Sequence, residues 1–308
     1  MNDQAPQQIR DYCRAWSQRA AAQDRAERWQ GRPARIRQGS PLASVCDDLE
    51  TASSAQLSAI VAGFTVCMTQ RDGGFAGTGR DYRLVWAWCA ELLVGAGSDA
   101  SPAMAQGTAR VFTLAIDAML ARPVPPEVPR VGAHARALAT AHASLVAYLA
   151  FPLLEQLLRA SCHGHFGADG LITVAFDTPG DDRKRHLYTV GGTCSSIGDL
   201  AWLYRNHYAP AEVSANLDEV DRHLANIVVG GRTGFRVLRT WRNATMHGSH
   251  ALPAIGAAVL NLAILVALAD RDHDFDQAAV TVRRQADNGG AGARFYPLED
   301  ERTGATPA

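Results

Sequence analysis

The sequence predicts a mainly α-helical protein, and three observations carry that reading. Apolar residues recur near helical spacing, as in Leu42, Val45, Leu49, Leu57, Ile60 and Val61. Residues 133–160 read as one long helix with a broad apolar stripe. Strand-like runs are confined to one pair, residues 171–176 and 186–190, flanking a polar turn at 177–185. The expected architecture is a helical bundle carrying a small β-hairpin insertion, preceded by an N-terminal helical region.

The elements follow in order. Up to about Arg37 the chain is rich in arginine, alanine and glutamine, which suggests one long helix acting as a solvated or partner-bound arm. Helical stretches follow from about residue 41 to 121, interrupted by a loop at Gly73, Gly74, Gly77 and Gly79. Val85, Trp86, Trp88, Leu92 and Leu93 resume an apolar face, and residues 111–120 supply another. Pro123, Pro125, Pro126 and Pro129 cannot propagate a helix, so the domain division is expected there. It separates an N-terminal helical region, 1–122, from a helical domain at 130–288, with a disordered tail at 289–308.

Within 130–288, the helix at 133–160 carries a stripe formed by Leu145, Leu149, Leu153, Leu154, Leu157 and Leu158. Pro152 is expected to kink or restart it. Helical patterns return at about 195–204 and 214–229, and Gly230-Gly231 breaks the chain. A further helix runs from about 233 toward His247, with Gly248 as its stop. An apolar helix at 253–269 closes the pattern.

Composition narrows the class. Apolar residues make up 47% and charged residues 20%, as in globular protein. The net charge of -1 argues against a generally basic nucleic-acid coat protein, but leaves room for a local basic groove. Lys184 is the only lysine among the 30 cationic residues, a bias that reads first as the mark of a GC-rich bacterial genome, although arginine is also a good forked phosphate ligand. Six cysteines at wide spacing, without a C-x-x-C, read as reduced thiols. The first residues lack an apolar signal region, so a cytoplasmic location is expected. Residues 251–268 are almost wholly apolar. Their alanine content and lack of aromatic anchors favour a buried helix over a membrane anchor.

The candidate chemistry lies in Arg242-Asn243-Ala244-Thr245-Met246-His247-Gly248. Cleaving RNA by internal transesterification requires a proton taken from the 2′-oxygen and one given to the leaving oxygen. It also requires the extra charge on phosphorus to be stabilised. A histidine titrates near neutrality and can move either proton. An arginine holds phosphate oxygens with a rigid fork, and an asparagine orients either partner. No metal or other cofactor is needed, and no metal site is expected. Five residues on a helix turn through about 500°, so Arg242 and His247 do not share one narrow face. Arg239 and Arg236 precede Arg242 by three and six residues and form a candidate RNA-binding strip.

This segment resembles the motif of the HEPN superfamily: an arginine, a polar residue that is often asparagine, a short gap and a histidine. The resemblance is close at the motif and looser over about 130–270. It implies a helical domain with Arg242, Asn243 and His247 as catalytic residues at the cleft of a homodimer. It also implies a metal-independent endoribonuclease acting on RNA, of the kind found in bacterial toxin–antitoxin and antiphage systems, with an antitoxin or defence partner. The alternative for the same helices is a non-catalytic dimerisation, RNA-binding or interaction module. Other clusters are weaker. Cys162-His163-Gly164-His165 lacks a second metal-ligand pair, Arg205-Asn206-His207 has the residue types at another spacing, and Gly191-Gly192-Thr193 lacks a Walker lysine.

Overall fold

The computed structural model describes residues 49–69, 79–95, 104–121, 133–180, 185–227, 234–248, 253–288 and 290–298, with Gln7, Arg10, Asp11 and Ala15. Helical positions 79–81, 133–143, 227 and 253 are described in backbone only. The described residues are mainly helical, with one small antiparallel sheet among them. The described helices are α1 (Ser54–Met68), α2 (Gly79–Val94), α3 (Gln106–Leu120), α4 (Ala133–Ser161), α5 (Ile197–His207), α6 (Ala211–Ile227), α7 (Arg236–Met246), α8 (Pro253–Asp270) and α9 (Phe275–Asp287). The hairpin strands β1 (Phe176–Pro179) and β2 (Arg185–Tyr188) lie between α4 and α5.

Local chemistry starts these helices where the sequence changes character. Ser53 caps α1: its hydroxyl accepts from the Gln56 N–H at 3.2 Å, and the Gln56 side chain accepts from the Ser53 N–H at 2.9 Å. α8 is apolar around its whole circumference, and such a helix has to sit inside the bundle. It packs along α4 and α1 and also touches α2 and α6. Its one internal polar residue, Asn261, accepts a hydrogen bond from Trp86 Nε1 at 2.8 Å, so the buried amide is paired. Among the described residues, no single helix is long and apolar enough to cross a membrane.

The core differs from the expected division at Pro123–Pro129. α1 lies against α8 and α6, and α3 lies along α4. Leu57, Phe64, Trp88 and Phe112 share one continuous apolar cluster with Leu154, Leu200 and Leu265. Among the described residues, those before and after the proline cluster therefore share one core. The reason is that α8 has no polar face, and α4 alone cannot cover it. The proline cluster itself lies outside the described residues, as do the glycine loop before α2 and most of the N-terminal arm. Within the arm, Gln7, Asp11 and Ala15 are exposed, while Arg10 is buried and donates to Asn216 Oδ1 at 2.6 Å on α6.

The expected tail is corrected in the same way between Gly290 and Leu298. Phe295, Tyr296 and Leu298 are buried. The buried Glu91 carboxylate on α2 accepts from the backbone N–H groups of Arg294, Phe295 and Tyr296 at 3.1, 2.6 and 3.2 Å. Such charge-assisted bonds are stronger than neutral ones. α4 continues through Pro152 without restarting, because the proline sits on an exposed face where water can serve the backbone it frees.

Candidate functional site

α7 is built to show one face outward. Val237, Leu238 and Thr245 are buried, and Trp241 packs against the core. This spacing turns Arg239, Asn243, Met246 and His247 toward solvent, with Arg242 half-buried. The helix ends as the sequence predicts. His247 is its C-cap, and Gly248 adopts φ +71°, a left-handed conformation that glycine takes without steric cost. The Gly248 N–H closes the turn on Thr245 O at 2.9 Å.

Contacts at the start of α7 fix its position. The Phe235 N–H donates to Asp221 Oδ1 at 2.8 Å, and the same aspartate pairs with Arg205 at 2.9 Å. Arg205 also stacks over the Phe235 ring. The resemblance of Arg205-Asn206-His207 to a catalytic trio thus gives way, at Arg205, to a structural role. Gly198 lets α5 approach closely, since a Cβ there would come within 2.5 Å of Phe235 O. Arg236 donates to Pro179 O at 2.6 Å, joining α7 to the end of β1. Of the two predicted RNA-binding arginines, Arg236 is therefore engaged with the hairpin, while Arg239 is exposed.

The hairpin is shorter and later than the sequence pattern suggests. β1 begins at Phe176, and the register pairs Phe176 with Tyr188 and Thr178 with His186. Residues 171–175 do not join that ladder. The Ile172 backbone instead exchanges hydrogen bonds with Gly191 and Gly192, which draws the 189–193 turn inward. Period-2 alternation puts His186 and Tyr188 on one face of β2. That face meets Asp199 on α5.

Asp199 is buried and well held. Thr178 Oγ1 donates to Oδ1 at 2.9 Å, and Tyr188 OH donates to Oδ2 at 2.6 Å. Burial, and then the bond to Asp199, push the Tyr188 hydroxyl far above the ordinary phenol range, so it stays a donor. The His186 Nδ1 lies 3.5 Å from the same Oδ2. The Ser196 hydroxyl caps α5 by accepting from the Asp199 N–H at 3.3 Å.

Hairpin, turn and α7 together line a half-open groove of about 500 Å³. Arg239, Arg242 and Asn243 line one wall, and His186, Thr189 and Ser195 stand among the residues of the others. None of the described lining residues is acidic. Arg242 is held at its edge by Glu155 on α4, with Nη2 3.3 Å from Oε2, and Glu155 also pairs with Arg159 at 3.1 Å. One neighbouring carboxylate orients the guanidinium and leaves other donors of its fork for a ligand. His247 is exposed at the helix end and does not line this cavity. The predicted residues thus divide: Arg239, Arg242 and Asn243 come together, while Arg236 and His247 stand apart from them.

Sequence reasoning missed His186. Its signal was the shared strand face with Tyr188, but the carboxylate it meets is thirteen positions away and set by hairpin register. Elsewhere, the Cys162-His163-Gly164-His165 segment forms a turn after α4. Cys162 is buried, which raises its thiol to about 12. His165 is bonded to the Tyr208 hydroxyl, and its pKa is lowered first by burial and then by the neighbouring His207. No group of three or more metal-ligating side chains is gathered among the described residues. In comparisons with known proteins, no family model, no curated protein and no solved structure matches the chain.

Proposed function

We propose that the protein is a metal-independent endoribonuclease of the HEPN type, acting in the cytoplasm as a bacterial toxin or antiphage effector. The observation that carries this reading is the groove wall of Arg239, Arg242 and Asn243, which faces a cavity without described acidic lining. Two guanidinium groups beside an amide suit the non-bridging oxygens of a phosphodiester. Arg242, already aimed by Glu155, carries the charge stabilisation of the pentacoordinate phosphorus. Asn243 orients the phosphate or the attacking 2′-hydroxyl. His247 is the proton-transfer group.

The reading includes a homodimer. His247 is not among the residues that line the groove with Arg242, so one chain does not assemble the full set. A second copy related by a twofold axis supplies its own His247 to this groove and receives one in return. Met246 beside His247, and Leu187 and Val190 in and after the hairpin, are large exposed apolar residues. They suit a surface that becomes covered.

The test uses purified protein and total RNA in excess EDTA, with and without a candidate trigger. His247→Ala is expected to slow cleavage by about 10²–10⁴-fold, as for loss of an acid or base. Arg242→Lys keeps charge but loses the fork, so partial activity is expected. Wild-type rates in Arg242→Ala, Asn243→Ala and His247→Ala alike would replace this reading with the non-catalytic interaction module.

A further inference from the structure

We propose that His186 is a second catalytic residue of the groove, supplying from the same chain the proton transfer that complements His247 of a second copy. This rests on the ribonuclease reading above. It extends that reading to a strand of the hairpin, outside the helical motif.

The argument starts from placement. His186 lines the cavity that Arg239, Arg242 and Asn243 also line. Its side chain is about half exposed, so a ligand in the groove can reach it. Its Nδ1 faces Asp199 Oδ2, which leaves Nε2 as the nitrogen available to a ligand. Asp199 is itself fixed by hydrogen bonds donated from Thr178 and Tyr188. A buried, anchored carboxylate on the Nδ1 side of an imidazole favours the tautomer that presents Nε2 to a ligand. The 3.5 Å separation is long for a hydrogen bond, and such contacts commonly tighten only when substrate is bound. The Tyr188 ring lies 4.4 Å from the imidazole by centroid, and Arg239 and Arg242 of α7 line the same cavity.

The step balances without a co-reactant. His186 Nε2 accepts the proton of the RNA 2′-hydroxyl as that oxygen bonds to phosphorus. The bond from phosphorus to the 5′-oxygen breaks, and that oxygen takes a proton from the partner's His247. The products are a 2′,3′-cyclic phosphate and a 5′-hydroxyl. The phosphodiester is isomerised and cut with no net oxidation and no water consumed. Arg242 and Arg239 hold the non-bridging oxygens throughout.

The experiment compares His186→Ala with wild type, His247→Ala and Arg242→Ala in EDTA. The first readout is the cleavage rate of an RNA oligonucleotide, alone and with added imidazole. The second is binding of the same oligonucleotide made uncleavable by 2′-deoxy substitution. His186→Ala should lose about 10²–10⁴-fold in rate. It should bind the uncleavable strand as wild type does, and free imidazole should restore part of the rate, which a merely structural loss would not permit. Wild-type cleavage by His186→Ala beside inactive His247→Ala and Arg242→Ala would overturn this proposal and leave the ribonuclease reading standing. A rate loss without imidazole rescue and with lost binding would make His186 a binding residue and also overturn it. A wild-type protein that leaves RNA intact under every trigger would remove both.

Discussion

Helices α7 and α8 are neighbours in sequence and opposites in physics. α8 is apolar on every side, and nearly all of its described side chains are buried. α7 buries only Val237, Leu238 and Thr245 and gives its remaining surface to arginine, asparagine and a terminal histidine. The first gathers helices from both sides of the proline cluster into one core. The second is laid across that core by its narrow apolar edge, which leaves its polar face open to the groove. Stability and chemistry are thus assigned to different helices, and substitutions should separate them.

The largest effect on folding is expected in α8. Leu260→Ala removes a fully buried side chain where helices meet and should cost about 2–5 kcal/mol. A chemical denaturation midpoint close to wild type would mean that α8 is not the centre of the core. Glu91→Gln comes next. It weakens the acceptor for three backbone N–H groups and should cost about 1.5–3 kcal/mol, the worth of bonds to a charged group. Faster proteolysis near residues 290–298 is the specific sign to look for. Asn261→Leu should cost about 1–3 kcal/mol, because it leaves the buried Trp86 N–H without its acceptor. An unchanged stability there would show that the amide is dispensable to the α2–α8 contact.

The smallest folding effects belong to the groove. Arg242→Ala breaks one half-exposed ion pair with Glu155 and should change stability by only about 0–1 kcal/mol. A thermal shift of the size seen for Leu260→Ala would erase the distinction between the two helices. Acidification sharpens the comparison on the core side. Burial lowers the pKa of His223 on α6 below the ordinary imidazole value, against a smaller opposing effect of Glu219. The unfolded chain therefore binds this proton more readily than the folded one. Its contribution is full above about pH 6.5 and is lost as pH falls from there toward the folded pKa. His223→Gln should flatten that part of the stability profile, as read by denaturation at several pH values.

Much of this arrangement is legible in the sequence, for reasons that differ by element. α4 and α8 declare themselves through long apolar runs, and α7 through its cation-rich face and the glycine that stops it. α9 is hard to see because only Phe275, Ala278, Ala279 and Val282 are buried, and two of those are alanines. The unity of the core is not visible either. Prolines 123–129 mark a break in helix propagation, which is local. Whether the helices on either side share a core depends on what covers α8, which is a long-range matter. The groove divides likewise. Arg239, Arg242 and Asn243 lie on one helix, so helical geometry brings them together. His186 reaches the same cavity only through hairpin register and the burial of Asp199.

The most direct measurement of the central claim is the chemistry of the cut ends. Purified protein is incubated with a defined RNA in excess EDTA, and the fragments are examined by mass spectrometry. The account predicts a 2′,3′-cyclic phosphate on one fragment and a 5′-hydroxyl on the other, with both products lost in Arg242→Ala. Fragments bearing a 3′-hydroxyl and a 5′-phosphate, or cleavage that persists unchanged in that variant, would contradict it.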